Sequence, residues 1–247
     1  MKITSLSNEN VRRWASLKLK KHRDETKTFL IEGEHLLKMA LDKKILLTQI
    51  YVGDLPSYFD SEIPTFEVTY QIMDKITSTK TPQKVAGICR YLDEPSLINK
   101  KKIIALDGVQ DPGNGGTIVR TALAFNYDAI IISDDSFDLY NDKFIRSTMG
   151  SLFDIDIIRG NLYEKLLFLK EYKYDIIVTV LDKQSIDYRE YKPSQNYVLV
   201  LGNEGQGISD EIINLATRKI YIPISEKIDS LNVSVAGAIC MSYYSEK

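Results

Sequence analysis

The sequence predicts an α/β fold in two modules, a small one over residues 1–95 and a larger one over 101–247 built on a parallel sheet. The first sign is a set of short runs dense in Ile, Val and Leu at 103–106, 129–132, 175–180, 197–201 and 219–222, the composition of strands covered on both faces. The second is the helical spacing of apolar residues between and after them, at 117–125, 162–172, 210–216 and 233–244. The third is a seam from Asp93-Glu94-Pro95-Ser96 to Asn99-Lys100-Lys101-Lys102, where polar and turn-forming residues break the apolar rhythm. A chain of 247 residues with 44% hydrophobic and 27% charged residues has the balance of a globular protein and the length for two cores. No apolar run approaches the roughly 18–20 residues that cross a bilayer, and the N-terminus lacks the apolar stretch of a signal peptide, so the expected location is the cytoplasm, away from membrane.

In the first module a strand at 29–31 meets Glu32-Gly33 and leads into a helix whose Leu36, Leu37, Ala40 and Leu41 share one face. A strand at 49–52, a helix at 68–76 and a strand at 85–91 come next, the last introduced by Thr81-Pro82-Gln83. Ahead of them lies a basic stretch, with Lys2, Arg12, Arg13, Lys18, Lys20, Lys21, Arg23 and Lys27 against Glu9, Asp24 and Glu25, in a chain whose net charge is −2. Such a run is either a solvated helical face or an arm that contacts phosphates. Cys89 and Cys240 sit far apart in apolar runs, and His22 and His35 form no ligand-like pair. Buried free thiols are expected, with no metal site and no serine, histidine and aspartate triad.

Three turns of the second module carry the chemistry. Asp107-Gly108-Val109-Gln110-Asp111-Pro112-Gly113-Asn114-Gly115-Gly116 joins a strand to a helix, and its glycines allow backbone amides to approach a ligand. It is neither a dinucleotide fingerprint nor a phosphate loop. Arg120 stands next in the expected first helical turn, where a cation opposes the helix dipole; it is either a structural salt-bridge partner or a functional cation. In Leu201-Gly202-Asn203-Glu204-Gly205-Gln206-Gly207 three glycines surround one carboxylate after a buried strand. That pattern suits a loop wrapped on a ligand, or a carboxylate at a helix start. In Ile222-Pro223-Ile224 and Ser230-Leu231-Asn232-Val233-Ser234-Val235-Ala236-Gly237-Ala238, Ser230 or Asn232 caps the last helix, and the small residues after it imply very close packing.

Together the three segments resemble, in order and spacing, the motifs of the SpoU (TrmH) family of SPOUT methyltransferases, over about 103–244. Arg146-Ser147-x-x-Gly150 also resembles a family loop, while Asn126 stands where glycine is common, a mild change because Asn tolerates positive φ. The resemblance implies a parallel sheet tied in a deep trefoil knot, a homodimer through the catalytic domain, and S-adenosylmethionine held in the knot by Leu201, Gly202, Asn203, Ile222 and Leu231. It implies transfer of a methyl group to a ribose 2′-hydroxyl of RNA, 23S rRNA first and tRNA second. Arg120 would lie nearest that hydroxyl, and Glu204, Asn114, Ser230 and Asn232 would orient Arg120 and the ribose by hydrogen bonds. The first module similarly resembles the substrate-binding domain, akin to a ribosomal protein, that precedes many such enzymes, through Phe29-Leu30-Ile31-Glu32-Gly33-Glu34-His35 and Thr81-Pro82-Gln83. With that resemblance the basic arm reads as an RNA contact, through Arg12, Arg13, Lys20, Lys21, Arg23 and, from the second module, Arg146. The rival readings are a dinucleotide-dependent oxidoreductase, which the glycine spacing does not fit, and a catalytically inactive RNA-binding protein on the same fold.

Overall fold

Val11, Trp14 and Leu17 recur at helical spacing, and that spacing folds the basic N-terminal stretch onto a core instead of leaving it an arm. In the computed structural model, which describes residues 1–245, β1 (Lys2–Ile3) leads into α1 (Glu9–Ser16) and α2 (Lys20–Thr26). Asn8 caps α1 by accepting from the Asn10 amide at 2.9 Å. Next come β2 (Thr28–Glu32), α3 (Glu34–Asp42), β3 (Leu46–Tyr51), β4 (Thr65–Val68), α4 (Tyr70–Ile76) and β5 (Val85–Arg90). Their five strands form one mixed sheet in the order β1-β4-β3-β5-β2. Where one helix was expected over 68–76, the structure has the end of a strand and then a helix: Thr69 stands between them, its hydroxyl accepting from the Ile72 amide at 3.3 Å. The strand is held by parallel pairing to β1 and β3, which no local pattern announces.

Two charged side chains lie inside this unit. Glu32 is 6% exposed and accepts from Thr79 Oγ1 and from the Gln83 amide, both at 2.7 Å. Gly33 beside it has φ +104°, and a Cβ there would come within 2.7 Å of Gln83 Oε1. The two short motifs of the first module are therefore one structural feature, a loop closed on a buried carboxylate. Arg23, expected among the RNA-contacting residues, is 5% exposed; it donates to the Leu17 carbonyl at 2.6 Å and pairs with Asp138. Its charge is committed to the fold, so it is removed from the RNA-facing set.

After the seam come β6 (Lys102–Asp107), α5 (Pro112–Ala124) and β7 (Ala129–Ser133). By contacts the chain divides into Met1–Asp93 with Asp138–Phe153, and Glu94–Phe137 with the remainder from Asp154. The excursion over 138–153, which carries α6 (Asp142–Thr148), packs against β2 in the first unit, a return that the single seam in the sequence does not announce. The second unit resumes with β8 (Asp156–Gly160), α7 (Leu162–Glu171), β9 (Asp175–Thr179), β10 (Ile186–Asp187), β11 (Tyr197–Gly202), α8 (Asp210–Leu215), β12 (Arg218–Tyr221) and α9 (Val233–Ser245). All seven strands of its sheet are parallel, in the order β10-β12-β9-β11-β6-β7-β8.

Both faces of this sheet are covered. Ile103, Ala105, Val198 and Val200 share a core with Leu162, Leu166 and Leu169 of α7 and Ile212 and Leu215 of α8. The alternate residues Ile104, Leu106, Leu199 and Leu201 are no more than 1% exposed on the other face, where α5 packs on α9. A Cβ on Gly237 of α9 would come within 2.7 Å of Leu201 Cδ1, which is the close packing that the small residues of this helix imply. Cys89 and Cys240 are buried free thiols, and burial pushes the Cys240 thiol up to about 12. No described helix is long and apolar enough to cross a membrane.

The Arg23 pair supplies a test of the first unit. Arg23→Ala strands Asp138 and a buried carbonyl, and breaking a buried pair typically costs about 3–5 kcal/mol. Asp138 keeps 20% of its side chain in solvent, so a loss near the low end, about 3 kcal/mol, is expected from urea unfolding; a loss under about 1 kcal/mol would show the pair to be dispensable.

Candidate active site at the carboxyl edge of the parallel sheet

Because every strand of the second sheet runs the same way, the segments after β6, β11 and β12 leave from one edge. The first loop begins at Gly108, with φ +66°, and ends in α5. Asp111 caps that helix by accepting from the Gly113 and Asn114 amides at 2.7 and 3.0 Å, with Pro112 in its first turn. The helix thus starts five residues before the expected 117, and Arg120 lies in its third turn. Arg120 therefore lies beyond the first turn, where a cation would oppose the helix dipole. Cap and proline are both visible in the sequence, but the glycines after them favour a loop on local grounds.

The second loop turns sharply after β11. Asn203 and Gly207 form an isolated bridge, their amides and carbonyls paired at 2.9 and 3.0 Å. A Cβ on Gly202 would stand 2.4 Å from the backbone of Gly207, so no other residue fits this return. Two carboxylates brace the loops in opposite directions. Glu204 accepts from the amides of Gln110 and Asp111 at 3.1 and 3.2 Å and from Asn114 Nδ2 at 2.9 Å. Asp107, at the end of β6, accepts from the Ser209 amide and hydroxyl at 2.8 and 2.9 Å, at the start of α8.

The third loop joins through Asn232, whose Nδ2 donates to Asn114 Oδ1 at 3.0 Å. Asn232 Oδ1 accepts from the Ser234 amide and hydroxyl at 2.9 and 2.6 Å, so Asn232, not Ser230, caps α9. Glu204, Asn114, Asn232 and the start of α9 form a directional relay, each amide donating to the group before it and accepting from the group after it. The relay orients both amides without ambiguity. Partial burial alone would raise the Glu204 carboxyl, but the donors from Asn114, Gln110, its own backbone and Asp111 outweigh it and hold the carboxyl below its ordinary value.

Of the expected catalytic set, Glu204, Asn114 and Asn232 are brought together, and none of them bonds Arg120. Arg120 is exposed and, among the described residues, has no hydrogen bond or ion pair. A structural salt bridge is therefore not its role in this structure. Ser230 is exposed on the approach to α9, while Gly202, Asn203, Ile222 and Leu231 are half-buried and Leu201 is buried. Asp107, Ser209 and Ser133, whose hydroxyl accepts from the Gly108 amide at 2.9 Å, belong to the same edge, and the sequence reading misses them. The signal available for Asp107 is its place between a buried strand and a glycine.

The sequence model of the SpoU rRNA Methylase family matches residues 101–242. The chain belongs to the SpoU rRNA methylase family. The MRM3-like substrate binding domain matches residues 8–87. Over 96% of both chains it is 37% identical to the 23S rRNA (guanosine(2553)-2′-O)-methyltransferase RlmP of Bacillus subtilis (strain 168). It is 28% identical to the 23S rRNA (adenosine(1067)-2′-O)-methyltransferase of Streptomyces laurentii, covering 90% of this chain and 87% of that one. The crystal structure of an AdoMet-bound rRNA methyltransferase from Sinorhizobium meliloti superposes with a TM-score of 0.90 at 33% identity, covering 100% of this chain and 97% of that one.

In this SpoU chain the expected RNA-contacting residues, the buried Arg23 and the half-buried Arg146 aside, are exposed on the first unit. Arg12 and Arg13 line the outer side of α1, Arg13 donating to Asn10 Oδ1 at 3.3 Å, and Lys20 and Lys21 open α2, with Lys21 lying 3.9 Å from Glu25. Arg146, on α6, pairs with Asp142 at 2.5 Å.

The lowered carboxyl of Glu204 sets a sign for pH dependence. Its contribution to stability is complete above the ordinary value of 4.5 and is lost as pH falls through the lower folded value. Glu204→Gln is expected to lower the melting temperature at neutral pH and to flatten its fall below pH 4.5; parallel melting profiles for the two proteins would rule out this contribution.

Proposed function

We propose that this protein transfers a methyl group from S-adenosylmethionine to a ribose 2′-hydroxyl of structured RNA, with 23S rRNA as the substrate. The observation that carries the reading is the single edge at which three loops are hydrogen-bonded into one body while Arg120, on the helix leaving the first loop, has no hydrogen bond or ion pair among the described residues. The names of the relatives from B. subtilis and S. laurentii support 23S rRNA as the substrate, and the AdoMet-bound neighbour supports the cofactor.

The residues present suit that cofactor. Gly202 offers bare backbone, and the half-buried Ile222 and Leu231 offer apolar surface, a lining fit for an adenosine held mainly through main-chain atoms; the side chain of Leu201 is buried against Gly237, so only its main chain is left for that role. S-adenosylmethionine supplies, when bound, a methyl group already activated on a positively charged sulfur. The chain's part is positioning. A guanidinium is a poor base, so the role of Arg120 is to orient the hydroxyl oxygen and hold the adjacent phosphate through its fork of donors. Ser230, exposed ahead of α9, bonds the ribose. Asn114 and Asn232, both engaged in the relay, hold the loops instead of touching the sugar. The same reading takes α9 as the segment threaded through the knot, and the catalytic unit as half of a homodimer. The basic residues on α1 and α2 serve as phosphate contacts for RNA, and the protein works where ribosomes are made, in the cytoplasm.

Labelled cofactor incubated with 23S rRNA from a strain lacking this gene is expected to give one alkali-resistant linkage, since a methylated 2′-oxygen cannot attack its neighbouring phosphate; no label in RNA would refute the activity. Arg120→Ala is expected to slow transfer by roughly 100- to 1000-fold, as for loss of one preorganised donor, with cofactor binding by calorimetry unchanged.

A further inference from the structure

The ladder between β6 and β11 ends at the pair Asp107 and Gly202. One residue further on the backbones part, because Asn203 turns back to bridge Gly207. The side chain of Asn203 takes over at that point. Its Nδ2 donates to the Gly108 carbonyl at 2.7 Å, shorter than the roughly 2.9–3.0 Å usual for such bonds, and so adds one more rung beyond the sheet. Its Oδ1 accepts from the Gly205 and Gln206 amides at 2.8 and 2.9 Å, shaping its own loop. Gly108 is aimed at this bond from its other side, its amide donating to Ser133 Oγ at 2.9 Å. A Cβ on Gly108 would come within 3.3 Å of Asp135 and 3.7 Å of Asn203, so the loops are already in contact there.

The loop that contains Asn203 starts at Gly202, and the loop that contains Gly108 runs into the helix bearing Arg120. We propose that Asn203 is a positioning residue that sets the separation between the cofactor-bearing loop and the loop that leads to Arg120, and that its side chain, engaged at both ends, does not contact the cofactor. This rests on the methyltransferase reading above. It also narrows the expectation that Asn203 binds cofactor, leaving only its main chain for that role.

Two substitutions separate the ends of the side chain. Asn203→Asp keeps an acceptor for Gly205 and Gln206 and sets a carboxylate oxygen against the Gly108 carbonyl. Asn203→Ser keeps a short acceptor of the kind used in such turns but cannot reach Gly108. Both variants are expected to lower the single-turnover rate of methyl transfer by roughly 10- to 100-fold, because small misplacements of reacting groups cost rates of that order. The affinity for S-adenosylmethionine, measured by calorimetry, is expected to stay within about three-fold. For Asn203→Asp the rate relative to wild type is expected to rise as the pH is lowered toward about 5, where the replacement carboxyl begins to protonate and can donate again; Asn203→Ser shows no such recovery.

A rate within about two-fold of wild type in both variants overturns the proposal. So does a loss of rate matched by an equal loss of cofactor affinity, and so does failure of both variants to fold, which would make Asn203 a residue of the fold alone. The wild-type rate is measured alongside: its absence defeats the activity, whereas its retention by both variants defeats only the role of Asn203.

Discussion

The site exists because seven strands of one sheet run in the same direction. A parallel sheet must be buried on both faces, since each return to its starting edge lays a crossover across one of them. Here α5 and α9 cover one face while α7 and α8 cover the other. Parallel order also gathers every carboxyl end at one edge. Residues 94 and 118 positions apart in the chain, Glu204 with Gln110 and Asn232 with Asn114, become hydrogen-bond partners on that account.

At this edge hydrogen bonding, more than apolar contact, decides geometry. A carboxylate from the second loop holds the first, and a carboxylate from the first holds the helix after the second. Such cross-bracing restrains both loops together, because displacing either breaks bonds of both carboxylates. The two asparagines between Glu204 and α9 have their amides oriented by a charge at one end and a helix start at the other, and bonds in a chain of this kind strengthen one another. Among the described residues the arrangement leaves Arg120 unengaged, and its planar fork of donors suits a phosphate or a sugar oxygen. Rigid loops beside one uncommitted charge are the division of labour that catalysis by positioning requires.

The first unit uses charge differently. Arg23 and Glu32 stand within a basic stretch and a short motif that resemble an RNA-binding domain, and both are buried and bonded to their own fold. Their neighbours Arg12, Lys20 and Lys21 are exposed. Helical phase separates the two groups: Val11, Trp14 and Leu17 define the inner side of the first helix and of the turn after it, and Arg23 falls inward with them. Burial of a guanidinium is tolerated only because a carbonyl and a carboxylate meet it, and that carboxylate comes from Asp138, 115 residues away.

Local chemistry in the chain determined five of the seven strands of the second sheet, leaving out Asp156–Gly160 and Ile186–Asp187, together with the last helix and the three turns, because buried parallel strands need unbroken Ile, Val and Leu, and tight returns need glycine. It also marked the candidate site residues, since Arg120, Glu204 and the asparagines stand out by type and spacing. Only the tertiary structure decided their partners. That Glu204 holds Asn114 and backbone amides but not Arg120, that Asn232 and not Ser230 caps the last helix, and that residues 138–153 pack with the first unit all depend on contacts between distant segments. The short strands at Lys2–Ile3, Thr65–Val68 and Ile186–Asp187 were invisible for the same reason: a strand of two to four residues has too little length for its own periodicity to show, and pairing with a neighbour is what makes it a strand.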